Sequence, residues 1–289
     1  MKTIIINIDE KLNKKRVGYV LERHTGLSST LVKRLKRIEN AVTLNGKSVT
    51  MVDTVNIGDV LVVEIHDRKS QNILPVDIPL DILYEDEDII AVNKPRSMPT
   101  HPSHNHRRDT LANGIMYHLK GKCTAFHAIT RLDRDTSGVV LVAKNAFTAK
   151  LLTDDIQVGR IHKEYFAVLD GVPIEKSGTI SAPIARIRQN SMLRHVSSDG
   201  KKAITQYEVE KKNNRFSLVR LIPMTGRTHQ LRVHMSYIGT PIYGDGLYSA
   251  AQEGERTRLH CCKVSFCHPI NKQQLTIVAP IPEDMTDLI

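Results

Sequence analysis

Residues 131–142 read RLDRDTSGVVLV, and in this stretch arginines and aspartates alternate directly before an apolar run. The run at Val139–Val142 follows a Thr-Ser-Gly turn, which predicts a loop leading into a buried strand. A carboxylate at Asp133 would be held rigidly in that loop, and an arginine on either side could orient it or bind the phosphates of a substrate. Asp135 is a second carboxylate two residues on, and capping of the turn is its expected role.

Residues 81–289 surround this stretch with alternating strand-like and helix-like patterns. Helices are expected at AFTAKLLTDDIQ (146–157), at RTHQLRVHMSYIG (227–239) and from Thr110, which Asp109 could cap. The strand-like runs are residues 88–93, 138–143, 164–169, 203–209, 215–222 and 274–278. An α+β fold with one large sheet is therefore expected for this part of the chain.

A second group of polar residues lies at 223–249, PMTGRTHQLRVHMSYIGTPIYGDGLYS. Here the chain is expected to turn at Gly226 into a helix on which Arg227, Gln230 and His234 share one face. Taken alone, a basic amphipathic helix of this kind is most often a solvated surface.

The net charge of the chain indicates which class of binding partner to expect. The chain has 289 residues, with 41 Lys and Arg against 31 Asp and Glu, a formal net charge of +10. This excess favours a polyanion, with nucleic acid ahead of a membrane surface. The apolar runs are far too short for a bilayer span, and the run in MKTIIINIDE is too short for a signal peptide. We therefore expect a cytoplasmic protein with no membrane partner.

The cysteines do not indicate a metal site. They are Cys123, Cys261, Cys262 and Cys267, and no pair has the C-x2-C spacing of a zinc knuckle. The cluster of His260, Cys262, Cys267 and His268 would have to converge from a strand whose neighbouring residues point to opposite faces. Reduced, buried thiols are the expected state, with no metal and no cofactor.

The N-terminal part has a different character. Residues 11–67 contain a basic amphipathic helix at LVKRLKR, in which Leu31, Leu35 and Ile38 share one face. The other faces carry Lys33, Arg34, Lys36 and Arg37. A phosphate-binding face and a solvated surface both stay open for this helix.

An Asn-Gly turn at Asn45–Gly46 predicts a hairpin after that helix. With GLSSTLVKRLKR ahead of NGK and GDVLVVEI, the segment resembles the S4-like RNA-binding domain, a small α/β unit. Two prolines and no periodicity at 68–80 predict a linker. We expect an S4-like domain at 1–70 and a catalytic domain at 81–289.

The ordered motifs of residues 81–289 resemble those of the RluA-type pseudouridine synthases. The motifs are DIIAVNKPRSMPTHP, HAITRLDRDTSGVVLVAKN, GRIHKEYFAVLDG, PMTGRTHQLRVHMSYIGTPIYGD and LHCCKVSFCHP. The resemblance implies a catalytic domain with a large mixed, mainly antiparallel sheet, and isomerisation of uridine to pseudouridine in RNA. The family commonly has glycine where Ser97 stands and histidine where Thr130 stands, so these departures bear on loop conformation and on the fit to RNA.

The resemblance also assigns roles to four residues. Asp133 is implied to be the essential carboxylate, which either attacks the uridine or removes a proton from its sugar, and both alternatives stay open. Arg131 is implied to fill the space left by the extruded base, Tyr165 to stack on that base, and Arg227 to pair with Asp133. The chemistry requires extrusion because the N1–C1′ bond must break, the base rotate and C5 join C1′.

Three functional hypotheses follow. The leading one is modification of 23S-type ribosomal RNA. The S4-like segment favours this substrate over transfer RNA. No obligate protein partner is expected. The alternative is a catalytically inactive RNA-binding ribosome-assembly factor, which would tolerate loss of Asp133 or Tyr165. A magnesium-dependent nuclease using Asp133 and Asp135 is disfavoured because Arg134 between them would lie beside the cation.

Overall fold

The apolar side chains of this chain gather in two main buried clusters. One is built from residues between Ile6 and Ile65 together with Phe147, and the larger one from residues between Ile89 and Ala279. The structure is a computed structural model that describes residues 2–67, 70, 73–121, 125–189, 191–250 and 255–289. Cys123 lies outside these residues, and Cys261, Cys262 and Cys267 are free thiols.

The smaller cluster lies between a four-stranded antiparallel sheet and short helices. The strands, in the sheet order β1-β4-β2-β3, are β1 (Lys2–Asn7), β4 (Val60–Ile65), β2 (Val42–Leu44) and β3 (Lys47–Ser48). The helices are α1 (Val17–Tyr19), a π-helical turn (Val20–His24) and α2 (Ser29–Leu35). Helix α2 begins where the Ser28 hydroxyl accepts a hydrogen bond from the Leu31 N–H. Leu31 and Leu35 are buried, as their spacing predicts.

The larger cluster surrounds a ten-stranded sheet. Its strands are β5 (Ile82–Glu85), β6 (Ile89–Lys94), β7 (His127–Ala128), β8 (Ser137–Ala143), β9 (His162–Asp170), β10 (Ser177–Ser181), β13 (Ile204–Lys212), β14 (Phe216–Pro223), β15 (Leu259–Cys267) and β16 (Gln274–Val278). The order is β10-β13-β14-β9-β15-β8-β6-β5, with β16 on β15 and β7 on β8. Every pairing described in it is antiparallel except β8 with β15. The expected mixed, mainly antiparallel sheet is confirmed.

The remaining elements lie beside this sheet. They are α3 (Leu111–His118), α4 (Ala146–Gln157), the two-stranded hairpin β11 (Ile184–Arg186) and β12 (Arg194–Val196), α5 (Gln230–Tyr237) and α6 (Glu283–Thr286). Within the described ranges, the helices are too short or too polar to cross a bilayer.

Two helix starts differ from expectation. Helix α3 is capped by Thr110, whose hydroxyl forms a capping box with Asn113, while Asp109 bonds His106 Nδ1 at 2.6 Å. Helix α5 begins at Gln230 and not at Arg227, because His229 has a left-handed backbone (φ 56°) that ends the preceding loop. Helix α4 has the expected bounds.

Part of the expected linker is fixed against the larger unit. The Asn113 Nδ2 amide in α3 donates to the Leu74 carbonyl at 2.7 Å, and the Val76 N–H donates to the Asn113 carbonyl at 3.2 Å. Residues 68, 69, 71 and 72 of that stretch lie outside the described residues.

Gly138 fixes how the central strands meet. It has φ 111°, and a Cβ there would lie 2.2 Å from the Cys261 carbonyl oxygen. Only glycine allows β8 to pair in parallel with β15 at this point. The expected Thr-Ser-Gly turn is wrong, because Ser137 and Gly138 already belong to β8 and the turn lies before them, at Arg134 and Asp135. The loop at 131–136 leads directly into β8, beside the middle of the sheet.

Candidate active site

A cavity of about 380 Å³ opens where the loop at 131–136 faces the loop at 225–229. The first loop leads into β8 and the second into α5. The four residues assigned from the sequence all line this cavity: Arg131, Asp133, Tyr165 and Arg227. The fold therefore brings together side chains that are up to 96 positions apart, from 131 to 227.

The loop at 131–136 is held from beneath by a buried lysine. Lys94 is fully buried, and its Nζ donates to the carbonyls of Pro95 at 2.9 Å, Met98 at 2.8 Å and Arg134 at 3.0 Å. Burial lowers the pKa of Lys94 to about 7, and the charges of Asp135 and Asp133 oppose that shift.

A second bond reaches the same loop. The buried Thr100 hydroxyl donates to the Leu132 carbonyl at 3.0 Å. Together, Thr100 and Lys94 bind carbonyls on both sides of Asp133, so the backbone that carries this carboxylate is fixed.

Asp133 is paired across the cavity with Arg232. Arg232 Nη1 donates to Asp133 Oδ2 at 3.2 Å, and the Asp133 side chain is 37% exposed. Arg232 also donates from Nε and Nη2 to the two oxygens of Asp245, each at 2.6 Å. Asp245 is fully buried, so this bidentate pair fixes the guanidinium that faces Asp133.

The expected pairing of Arg227 with Asp133 is wrong. Arg227 lies in the loop before α5, and its Nε donates to the Lys202 carbonyl at 2.9 Å. Arg232 lies in the first turn of the helix, where its side chain points into the cavity. Both arginines come from one motif, and the start of α5 at Gln230 decides which of them meets the carboxylate.

The charges around Arg232 stabilise its protonated form. Burial works against that form, but the Asp245 and Asp133 carboxylates outweigh it and raise the pKa of Arg232. The Arg232 guanidinium also lies over the Tyr248 ring, 5.2 Å from its centroid. Asp133 therefore faces a permanent, well-fixed cation.

His229 and Tyr248 complete this side of the cavity. His229 Nε2 lies 3.7 Å from Asp133 Oδ2, and its Nδ1 is 2.9 Å from the Tyr248 hydroxyl. Burial lowers the pKa of His229, although the Asp133 charge opposes the shift. Sequence reasoning did not single out Arg232, Asp245, His229 and Tyr248 as site residues, although all four lie within the motif at 223–249.

Tyr165 lies on β9, opposite Cys261 of β15. It is 7% exposed and lines the cavity. Burial, with a further contribution from the Cys261 thiol, raises the pKa of Tyr165 well above its usual range. The ring is therefore a neutral, fixed aromatic surface in the wall of the cavity.

Arg131 is exposed and, within the described part of the chain, forms no hydrogen bond or ion pair. Its charge is felt at His101, whose pKa is lowered by burial first and by Arg131 second. The neighbouring ion pair is instead made by Arg134, which donates to both oxygens of Asp135 at 3.0 and 3.2 Å. The guanidinium of Arg131 is thus available to a ligand.

Asp135 does not have the expected capping role. The turn is closed by the Thr136 N–H, which donates to the Asp133 carbonyl at 3.2 Å, and the Asp135 carboxylate is held by Arg134. Across the described ranges, no group of three or more His, Cys, Asp or Glu side chains could hold a metal ion. His260, one of the four residues of the candidate ligand cluster, pairs its Nδ1 with the Ser137 hydroxyl at 2.9 Å.

The two departures from the family pattern have structural counterparts. Ser97 has φ 59°, in the left-handed region that glycine occupies without strain. Thr130 is buried, and its hydroxyl accepts a hydrogen bond from the Leu141 N–H at 2.9 Å. The Thr130 side chain therefore ties the segment before Arg131 to β8.

Known proteins match this chain over most of its length. Residues 88–237 match the family model described as RNA pseudouridylate synthase. The chain is 40% identical over 268 residues to YjbO of Bacillus subtilis, described as an uncharacterised RNA pseudouridine synthase, across 91% of this chain and 95% of that protein. It is 33% identical over 265 residues to ribosomal large subunit pseudouridine synthase D of Xylella fastidiosa, across 86% of this chain and 80% of that protein.

A solved structure with a similar fold also matches this chain. Human RNA pseudouridylate synthase domain containing 1 superposes with a TM-score of 0.59 at 30% identity, covering 70% of this chain and 83% of that one.

Proposed function

The chain belongs to the RNA pseudouridylate synthase family, as an RNA pseudouridine synthase of the RluA type, and we propose that it acts on large-subunit ribosomal RNA with Asp133 as the reacting carboxylate. Two features support the choice of RNA. Relatives such as that of Xylella fastidiosa are named for the large ribosomal subunit. The N-terminal unit resembles the S4-like RNA-binding domain and presents Lys33, Lys36 and Arg37 at its surface.

One observation carries the assignment of Asp133. Of the described residues that line the cavity, Asp133 is the sole carboxylate, and its side chain is accessible while its backbone and its arginine partner are fixed. Nucleophilic attack and proton removal both require a carboxylate, and the fixed Arg232 guanidinium can orient this one. The two roles of Asp133 stay open in the proposal.

The cavity around Asp133 suits a uracil base that has been extruded from the RNA stack. A cavity of about 380 Å³ is in the range of small-ligand sites, so it is large enough to take one base. Tyr165 offers its ring as a stacking surface for the uracil, which must rotate while detached from the sugar. Arg131, at the mouth of the cavity, is free to occupy the space that the extruded nucleotide leaves in the RNA.

The experiment is a map of pseudouridines across total RNA from cells with and without the gene. Complementation with the native protein is expected to restore specific sites in large-subunit ribosomal RNA, and Asp133→Asn is expected to restore none. Asp135→Asn is the matched control and should restore the same sites. Restoration only in transfer RNA would contradict the proposed substrate, and no difference at any site would support the inactive assembly factor.

A further inference from the structure

A second cleft of about 500 Å³ lies behind the loop that forms one wall of the catalytic cavity. The two cavities share Gly226, Arg227 and Thr228 as a common partition. The far wall of the cleft is the β11–β12 hairpin, and the turn at 199–201 closes one side. A single strand of RNA could therefore reach both cavities across the partition.

The hairpin places two like charges directly opposite each other. Arg186 and Arg194 are cross-strand partners in the antiparallel register, and both line the cleft. The next pair on the same face of the hairpin is Ile184 with Val196, two residues from the arginines on each strand. Ile184 is buried, and both residues pack in a small apolar cluster with Val233 of α5. That packing anchors the hairpin and directs the two arginines into the cleft.

Within the described residues, Arg186 and Arg194 form no ion pair. Arg186 Nη1 donates to the Gln189 carbonyl, and Arg194 Nη1 donates to the carbonyls of residues 191–193, all in the same hairpin. Like charges directly opposite each other on a two-stranded sheet are destabilising by themselves. An anion between the guanidinium groups would remove that cost.

Two further cations line the cleft. Arg227 comes from the shared partition, and Lys201 comes from the turn, with no hydrogen-bond or ion-pair partner for its ammonium in the described ranges. The turn is fixed by Gly200, where a Cβ would lie 2.6 Å from the Ile184 backbone. Asp199 is the one acidic side chain among the described lining residues. Four cations thus face a single carboxylate.

The hairpin is also tied to the catalytic side of the partition. The Arg194 N–H donates to the Tyr248 hydroxyl at 2.9 Å, and that hydroxyl contacts His229 Nδ1. His229 is the residue that lies 3.7 Å from Asp133. Two hydrogen bonds and the His229–Asp133 contact therefore connect the cationic cleft to Asp133.

We propose that this cleft binds a backbone phosphate of the substrate RNA, adjacent to the nucleotide whose base enters the catalytic cavity. The inference rests on the proposed function and deepens it, because it assigns a positioning site for the flanking strand. Arginine is suited to this task, since its planar guanidinium binds phosphate oxygens in a bidentate fashion. The phosphate sets the register of the strand and carries no sequence information.

The test compares Arg186→Ala with Arg188→Ala. Arg188 is an exposed arginine of the same hairpin that does not line the cleft, so it is the matched control. Binding of a fluorescent oligouridylate is measured against salt concentration. For one lost phosphate contact, the slope of log affinity against log salt is expected to become shallower by about 0.7 in Arg186→Ala. Arg188→Ala is expected to keep the native slope.

Equal slopes in the native protein and Arg186→Ala, or an equal change in both variants, would overturn the inference. Competition by inorganic phosphate, beyond that of chloride at the same ionic strength, is expected in the native protein and should weaken in Arg186→Ala, because both phosphates bind the same guanidinium groups. Competition of equal size in the native protein and Arg186→Ala would also overturn the inference. Pseudouridine formation by the native protein on unmodified large-subunit ribosomal RNA is measured in parallel. Its absence contradicts the proposed function, whereas the binding slopes test the cleft alone.

Discussion

The two walls of the candidate catalytic cavity are held in different ways. The loop at 131–136 is fixed through its backbone, because Lys94 and Thr100 donate to its carbonyls from a buried layer. The opposite wall, at 225–232, is fixed through side chains, with Arg232 paired to Asp245 and His229 to Tyr248. The position of the first wall should therefore depend on its buried donors, whereas the position of the second should depend on hydrogen bonds between its own side chains.

The largest effect is expected at the carboxylate itself. Asp133→Asn keeps the shape of the side chain but removes its charge, so pseudouridine formation should be abolished while RNA affinity stays within a few-fold. Asp135→Asn, on the same loop, should retain most of the activity because Asp135 only pairs with the exposed Arg134. Single-turnover assays with both variants check this, and a fatal Asp135 change with a tolerated Asp133 change would reverse the assignment.

The next effect is expected from the anchor beneath the first wall. Lys94→Met leaves three carbonyls without their donor, and a hydrogen bond of this kind contributes about 0.5–1.5 kcal/mol. The loop that carries Asp133 should loosen, and the single-turnover rate should fall by about tenfold or more, since 1.36 kcal/mol in the barrier is tenfold in rate. A variant that keeps the native rate would show that the anchor does not position Asp133.

Lys94 also predicts a pH dependence of stability. Burial holds its pKa in the folded protein at about 7, below that of a free lysine, so the unfolded chain binds more protons between pH 7 and the ordinary lysine range. The free energy of unfolding contributed by this group therefore rises with pH across that window. Denaturant titrations at several pH values should show the rise in the native protein relative to Lys94→Met, and parallel curves would contradict the lowered pKa.

A substrate-dependent effect is expected at Arg131. If this arginine occupies the space of an extruded base, Arg131→Ala should slow reaction of a uridine in a stacked helix more than the same uridine in an unstructured strand, because unstacking costs a few kcal/mol. Arg134→Ala is the control on the same loop. Equal losses on the two RNAs would leave Arg131 with a role only in scaffolding.

The smallest effect is expected on the second wall, at Tyr248. Tyr248→Phe removes the hydroxyl between His229 and Arg194, and a hydrogen bond of this kind contributes about 0.5–1.5 kcal/mol. The rate should fall a few-fold with little change in melting temperature. Tyr243→Phe loses a comparable bond, to Glu255, away from the cavity and should leave the rate unchanged. Equal rates in the two variants would show that Tyr248 does not support His229.

The difference between the walls also explains what the sequence could reveal. Strand β8 follows from the apolar run at Val139–Val142, so Asp133 and Arg131 could be placed in the loop before it from one short stretch. The partner of Asp133 could not, because the contact with Arg232 spans 99 positions and depends on the start of α5. The left-handed backbone at His229 determines where α5 starts, and no residue type in the motif predicts that backbone conformation.

Lys94 illustrates a different limit. It is the last residue of β6, directly before Pro95, which cannot continue a central strand. The sequence predicts an exposed side chain for this lysine, since lysine is rarely fully buried. Its burial follows from three carbonyls that only the folded loops bring together.

The most direct test of this account compares Arg232→Lys with Arg227→Lys, which both keep the charge. Lysine cannot reproduce the bidentate contact with Asp245 that aims Arg232 at Asp133, so the single-turnover rate at saturating RNA is predicted to fall by at least about tenfold, or 1.36 kcal/mol. Arg227→Lys is predicted to keep the rate within a few-fold and to change RNA affinity instead. A slow Arg227→Lys beside a fast Arg232→Lys, with unchanged melting temperatures, would contradict the pairing on which the account rests.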